Sequence, residues 1–405
     1  MHFSLGIFVA LAATYVTAQD DFSQVISSRP ELSNFTTYLD NTPELRDGFN
    51  RARNVTILAP SDDSFKDLIS TNINPSDPPA NSSLIDGILT YHLINGTYRS
   101  ADISTEPKFL KSFLDNPTFE NVRSGQVVKA VKEGEDVKFI SGLLADSTVT
   151  TPDIEFNGGV IHIVDEVLTL PQIVSATALA TNMTTFVKGM EVAGSTVRID
   201  STEDVTVFIP TNDAFSSIGS ALENATTMKR QLELMARQGS NEQIANIVNY
   251  HAVEGTVLYS SDLKNESMPT MAGKDVTITV VDGVAYVNSA RVVGTDVLTN
   301  NGVIHIIDNV LNPDNTTASA NPSSPSGEPA FGGASQVPNE PLTSGASSPT
   351  SAIEVPTAAP VGGGGGGEPS PAPPGQTTPA GAAPMETAAV GIAAILGVGA
   401  ILVNA

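Results

Sequence analysis

Four histidines stand where chemistry could be done: His92, His162, His251 and His305. Imidazole is the usual general base near neutral pH and a common metal ligand. Their spacing argues for something else. A fifth, His2, lies in the apolar N-terminal leader; each half of the remaining chain holds only two, and neither pair stands in a His-Glu-x-x-His pattern or another familiar ligand spacing. His162 lies in Val160-Ile-His-Ile-Val164 and His305 in Val303-Ile-His-Ile-Ile307. Strand alternation turns each imidazole to the face opposite its flanking isoleucines. A buried, hydrogen-bonded imidazole with a structural role is the expected outcome. The chain has no cysteine, which removes thiol catalysis and thiolate metal sites. There is no Gly-x-Ser-x-Gly elbow and no phosphate-binding loop, and the run Gly362 to Gly367 follows no strand. Asp62-Asp63 and Asn212-Asp213 offer oxygens to a calcium ion but lack the periodic acidic pattern of a Ca²⁺ loop. Ser61 or Asp62, and Thr211 or Asn212, are expected to cap a following helix. No catalytic residue, cofactor or metal ligand is assigned.

Composition narrows the partners. A net charge of −24 argues against nucleic acid and against electrostatic binding to anionic lipid. An enzyme of wall polysaccharide would need carboxylates paired about 5–10 Å apart across a cleft. Carboxylates are plentiful, but the chain has no tryptophan on which a sugar could stack. A binder of a small apolar ligand, held between helices and sheet, is a further reading.

The histidines sit inside a repeat. Asn157-Gly-Gly-Val-Ile-His-Ile-Val-Asp-Glu-Val-Leu168 returns as Asn301-Gly-Val-Ile-His-Ile-Ile-Asp-Asn-Val-Leu311. Val55-Thr-Ile-Leu-Ala-Pro-Ser-Asp-Asp-Ser-Phe65 matches Val205-Thr-Val-Phe-Ile-Pro-Thr-Asn-Asp-Ala-Phe215, and Tyr91-His92 matches Tyr250-His251. Three phrases in one order mark a duplicated unit of roughly 140 residues, large enough for its own core. Each copy reads as helix and strand together. Phe22, Val25 and Ile26, then Phe35 and Leu39, have helical spacing. Thr56 to Ala59 is a buried strand stopped at Pro60. Leu84, Ile85, Ile88 and Leu89 share a helix face, as do Ile244, Ile247 and Val248. Met228 to Arg237 is an extra helical stretch of the second copy. Val276 to Val280, Asp282-Gly283 and Val284 to Asn288 spell a hairpin; Val127 to Val131 and Val137 to Ile140 are its weaker counterpart.

These six phrases resemble the two signatures and the middle Tyr-His motif of the fasciclin-type domain. The resemblance covers residues 20 to 312. It implies an α+β fold: two tandem fasciclin-type domains, each a compact β-sandwich wedge with packed helices, followed by a disordered stalk. It also implies a non-catalytic role in adhesion or in matrix and wall organisation. In animal members an Asp-Ile pair ahead of the second signature, and the Tyr-His segment, are linked to integrin binding. Asp153, Ile154, Asp296 and Val297 occupy the first position here, and Tyr91, His92, Tyr250 and His251 the second. The competing reading makes Ile154 and Val297 core residues and has the aspartates satisfy local backbone groups.

The flanks carry processing signals. Residues 1–18 read as a secretory signal: Phe3 to Val16 is apolar, and Val16-Thr17-Ala18 is small. Residues 19–169 and 170–312 are the two domains. Residues 313–387, rich in Pro, Ser, Thr and Gly, form the stalk and resemble those of fasciclin-like arabinogalactan proteins and fungal wall proteins. Residues 388–405 form an apolar tail. Its Ala388 to Val403 would span about 24 Å as a helix, short of the roughly 30 Å hydrocarbon core, and no Lys or Arg follows Arg291. That pattern describes a glycosylphosphatidylinositol (GPI) signal, with Gly381 the favoured attachment residue. Sequons begin at Asn34, Asn54, Asn81, Asn95, Asn182, Asn224, Asn265 and Asn315. The expected partners are cell-surface or matrix proteins and wall polysaccharide, with the membrane reached through the GPI lipid. The expected address is the extracellular face of the plasma membrane or the cell wall; the alternative is the lumen of a vacuole, with a role in membrane fusion or autophagy.

Overall fold

The computed structural model describes residues 20–65, 82–219, 240–322 and 330–333. The stretch Met228 to Arg237, the leader, the apolar tail and Gly381 lie outside them. In the first repeat, α1 (Phe22–Ser27), α2 (Ser33–Asn41) and α3 (Pro43–Arg51) precede β1 (Val55–Pro60), and α4 (Ser82–Tyr91) follows it. Asp21 opens α1 with a reciprocal cap to Gln24. Pro43 starts α3, where a missing amide hydrogen costs nothing. Six strands complete the unit: β2 (Leu93–Asn95), β3 (Lys108–Lys111), β4 (Val127–Glu133), β5 (Asp136–Ile140), β6 (Asp146–Phe156) and β7 (Gly159–Val164).

The second repeat follows the same order, with one further described helix after its first strand. Helices α5 (Val174–Ala180), α6 (Thr184–Ala193) and α7 (Thr196–Ser201) lead to β8 (Val205–Pro210), α8 (Asn212–Ser217) and α9 (Ser240–Tyr250). Then come β9 (Ala252–Glu254), β10 (Glu266–Pro269), β11 (Asp275–Val281), β12 (Val284–Val287), β13 (Ala290–Thr299) and β14 (Gly302–Ile307).

Both sheets have seven strands in equivalent order, β2-β1-β7-β6-β5-β4-β3 and β9-β8-β14-β13-β12-β11-β10. Only β1 with β7, and β8 with β14, run parallel. The matched signatures fall opposite one another: Leu58 pairs with His162 and Phe208 with His305. The two layers of the sandwich are two halves of one sheet. β6 and β13 bend at bulges just before Ile154 and Val297. Isolated bridges, Ile94 to Ser112 and Val253 to Thr270, bring the far ends together.

Alternation then explains why β1 and β8 are buried throughout. Ile57, Ala59, Ile161 and Ile163 face the helices and join Phe22, Phe35 and Phe49. Leu58 and Val164 face the inside of the bent sheet with Tyr91, Val128 and Phe139. The second repeat divides its core in the same way. The hairpin turn behaves as its sequence demands, with Asp282 and Gly283 both at positive φ, 51° and 75°. Packed structure also continues past residue 312. Ala330 is buried, Phe331 packs on the helical core of the second repeat, and Asn312 holds the Ala330 carbonyl at 3.0 Å.

Candidate functional site

The Tyr-His pairs are interior fastenings. Tyr91, His92, Tyr250 and His251 are all 0 % exposed. His92 Nδ1 lies 2.7 Å from the Ile88 carbonyl one turn back, and its Nε2 accepts the Leu168 amide at 3.0 Å. His251 repeats this with Ile247 at 2.7 Å and Leu311 at 2.9 Å. Each ring therefore ties the end of its helix to the chain leaving the central strand. Burial pushes both imidazoles down to about 4, against the helix carbonyl, so both are neutral at pH 7. The Tyr91 hydroxyl donates to the Val127 carbonyl at 2.9 Å, and that of Tyr250 to the Asp275 carbonyl at 2.8 Å. As surface contacts for a partner these four residues are ruled out: a planar ring facing a helix end and a closed sheet has no free edge.

His162 and His305 are buried as well. The Nε2 atoms lie 2.8 Å from the Tyr98 carbonyl and 2.7 Å from the Leu258 carbonyl. The Nδ1 of His162 accepts the Asp153 amide at 3.2 Å. Both rings are hydrogen-bonded as expected, but His305 on one side only: its buried Nδ1 has no hydrogen-bond partner. Burial lowers the basicity of both rings. Among the described residues no group of three or more His, Asp or Glu is placed to hold a metal.

The aspartates sit at the bulges, with φ of 58° at Asp153 and 63° at Asp296. A short polar side chain tolerates that conformation. Each carboxylate grips a serine across the sheet. Asp153 accepts the Ser100 amide at 2.8 Å and the Ser100 hydroxyl; Asp296 accepts the Ser260 amide and hydroxyl, both at 2.7 Å. The bonds hold the turns Ser100–Asp102 and Ser260–Asp262 against β6 and β13. Ile154 and Val297 are core residues, 9 % and 0 % exposed. Of the eight candidates for a surface contact, only Asp153 is half-exposed.

The first signature also acts at a distance. Asp62 Oδ1 accepts the Asn34 amide at 2.7 Å and its Oδ2 the Ser33 hydroxyl at 2.5 Å, so it caps α2 from across the fold. Asn212 accepts the Thr185 amide at 3.1 Å at the start of α6. Thr211 is the local cap of α8, accepting from Ala214 at 3.2 Å.

The difference between the two bulges is the seam between the repeats. Lys129 of β4 reaches Asp296 at 3.0 Å, with the aspartate side chain 0 % exposed. Burial pushes the Asp296 carboxyl up, but Lys129, His305 and the serine bonds prevail and hold it below the usual range. Phe109 stacks on Tyr259 with centroids 4.2 Å apart, and Val127, Val257, Leu298 and Val303 close an apolar patch around them. Gln126 Nε2 donates to the Thr299 carbonyl at 2.9 Å, and the Asn121 amide to the Asn300 carbonyl at 2.6 Å. Arg123 lies against Glu203 and Asp204 at the rim. The connection from β7 to α5 is pinned too: Thr169 bonds Ser141 and Gly142, and the Gln172 carbonyl accepts the Asn300 amide. Of these seam residues only Val303 stands in a repeated phrase.

The fasciclin domain model matches residues 30–171 and again 181–313. The chain belongs to the fasciclin family. It is similar to a fasciclin-like arabinogalactan protein of Arthroderma benhamiae, 44 % identical over 86 % of this chain and 80 % of that protein. A second fungal relative, fasciclin-like arabinogalactan protein elcF of Phaeosphaeria nodorum, is 30 % identical over 73 % of this chain and 89 % of its own length. Among solved structures, a FAS1 domain pair from the insect cell adhesion molecule fasciclin I is 20 % identical, with a TM-score of 0.33, over 70 % of this chain and 97 % of that one.

Proposed function

We propose that this two-domain fasciclin protein is a non-catalytic surface glycoprotein acting in adhesion or in organisation of the cell wall. The observation that carries the reading is the 44 % identity, over most of both chains, with a fungal fasciclin-like arabinogalactan protein. The sequence supplies the address: a leader over residues 1–18, a Pro/Ser/Thr-rich stalk and an apolar end fit a chain exported and held by a glycolipid at Gly381. The surface is compatible with glycans. The sequon residues Asn54, Asn95, Asn182 and Asn265 are exposed, and Asn34 and Asn315 half-exposed. Asn81 and Asn224 lie outside the described residues. Asp153 and the polar side chains around it form the face that a matrix protein or wall polysaccharide would meet.

A tag inserted after Ala18 tests the address. Labelling of intact cells, and release of the tagged protein by inositol-specific phospholipase or wall glucanase, is the expected result. Label confined to a vacuole lumen would overturn the surface placement. Loss of the gene should reduce attachment of cells to one another or to wall material, and restoring it should recover attachment. Unchanged attachment and unchanged wall composition would overturn the adhesion reading.

A further inference from the structure

The seam is a head-to-tail contact, with different faces of the two repeats joined. The first repeat supplies a plug on β3 and β4: Phe109, Val127 and Lys129. The second supplies a socket: Tyr259, Asp296, Leu298 and Val303. Because the repeats share one topology, each also owns the face it does not use. A head-to-tail contact between equivalent units can propagate into an open array unless its ends differ.

The ends do differ, at traceable positions. In the first repeat, Arg99 opens the turn Ser100–Asp102 as Tyr259 opens Ser260–Asp262. Glu155 pairs with Val160 where Leu298 pairs with Val303. The free socket therefore carries an Arg99–Glu155 ion pair at 2.8 Å in place of an aromatic ring and a leucine. In the second repeat, Ser267 pairs with Thr277 where Phe109 pairs with Lys129. Asp275 replaces Val127, since each offers its carbonyl to the equivalent tyrosine. The free plug thus carries Ser267, Asp275 and Thr277, all exposed and without an ammonium group. Its Thr277 would meet the carboxylate of Asp153 without the ammonium that Lys129 brings to Asp296, and Asp275, in the place of Val127, would enter the patch where Glu155 replaces Leu298, a like-charge approach that disfavours pairing.

We infer that the two repeats have diverged into a matched plug and socket whose unused counterparts are closed by polar substitution. The chain is thereby a rigid two-domain unit that does not extend through these faces into an array of its own copies. The partner that the seam accepts is specified by a lysine and an aromatic ring on one sheet edge, meeting a serine-bound aspartate and a tyrosine on the other. The free socket still holds the Asp153–Ser100 grip, so few substitutions should reopen it.

Full-length variants test this. One carries the reopened socket, Arg99→Tyr with Glu155→Leu. The other carries the restored plug, Ser267→Phe, Asp275→Val and Thr277→Lys. All five positions are exposed, and each variant is first checked for the wild-type unfolding transition. In sedimentation over about 1–100 μM, where a contact of micromolar affinity would register, the wild type and each variant alone should stay monomeric. An equimolar mixture should double in mass. If a full graft unfolds, Arg99→Tyr mixed with Thr277→Lys replaces it, with a smaller rise in mass expected. Folded variants that remain monomeric when mixed, in either pairing, overturn the proposal. Wild-type self-association that Thr277→Glu abolishes would overturn it as well.

Discussion

The two repeats keep their interiors alike and differ at their faces. Inside, Pro60 and Pro210, His92 and His251, and His162 and His305 hold equivalent places in equivalent sheets. Outside, one bulge aspartate is half-exposed beside Arg99 and the other is sealed beneath Lys129. The repeated phrases therefore report what the fold needs to close. The unrepeated positions report what each copy touches.

The largest effect should come from acid, and it should be the same in both repeats. His92 and His251 sit at about 4 when folded and at the ordinary 6.5 when unfolded. Between those values the unfolded chain binds more protons, so stability falls as pH falls, beginning near 6.5 and levelling off near 4. At pH 4.5 each histidine should have removed about 2.5 kcal/mol relative to pH 7.5. Urea unfolding across that range would show the slope, and His92→Leu or His251→Leu should each remove about half of the part that these two histidines contribute. A slope removed by one substitution alone would break the equivalence of the interiors.

Next comes the glycine that opens each central strand. A Cβ at Gly159 would lie 1.9 Å from the Val55 carbonyl oxygen, and one at Gly302 1.8 Å from that of Val205, both at φ 157°. Backbone cannot yield there as a side chain could. Gly159→Ala and Gly302→Ala should each cost about 3 kcal/mol or more, by overpacking and strain together. Thermal unfolding would check it, and a mild effect at either position would show that the strand can separate from its parallel neighbour.

The seam should show the contrast. Lys129→Ala strands the buried Asp296 carboxylate, and about 3 kcal/mol of stability should be lost. Arg99→Ala removes only an exposed pair with Glu155 and should change stability by less than about 1 kcal/mol. Equal effects in chemical denaturation would mean that the seam does not bury its charge in solution.

The tyrosine hydroxyls should give the smallest difference. Tyr91→Phe loses one bond, to the Val127 carbonyl, for about 1 kcal/mol. Tyr250→Phe also frees Asn288 Nδ2, which donates to that hydroxyl at 3.0 Å, so its loss should approach about 2 kcal/mol. Matched urea titrations of the two variants would resolve the gap.

Much of this molecule was written locally. The duplication, the buried strands ending at Pro60 and Pro210, the Asp282-Gly283 hairpin and the helix faces follow from short-range periodicity and turn chemistry, which neighbouring residues settle among themselves. So does the structural character of the histidines, because an imidazole inside an apolar strand has few other places to go. The partners of those groups were not local. Asp62 reads as a cap for the helix beside it, yet it caps α2 across the fold. The Tyr-His pairs read as candidates for the surface, yet they close the interior. The seam left faint traces: Arg99 stands where the second copy has Tyr259, Glu155 where it has Leu298, and Phe109, Val127 and Lys129 where it has Ser267, Asp275 and Thr277. Whether such an exchange marks a contact or mere drift depends on what stands opposite. Phe109 and Lys129 reach Tyr259 and Asp296 only once both sheets are folded, bent at their bulges and set against each other by the pinned connection. Secondary structure and repetition are properties of sequence neighbours. The choice of buried partner for a charge or a ring is a property of the assembled surface, and the tertiary structure alone decided it.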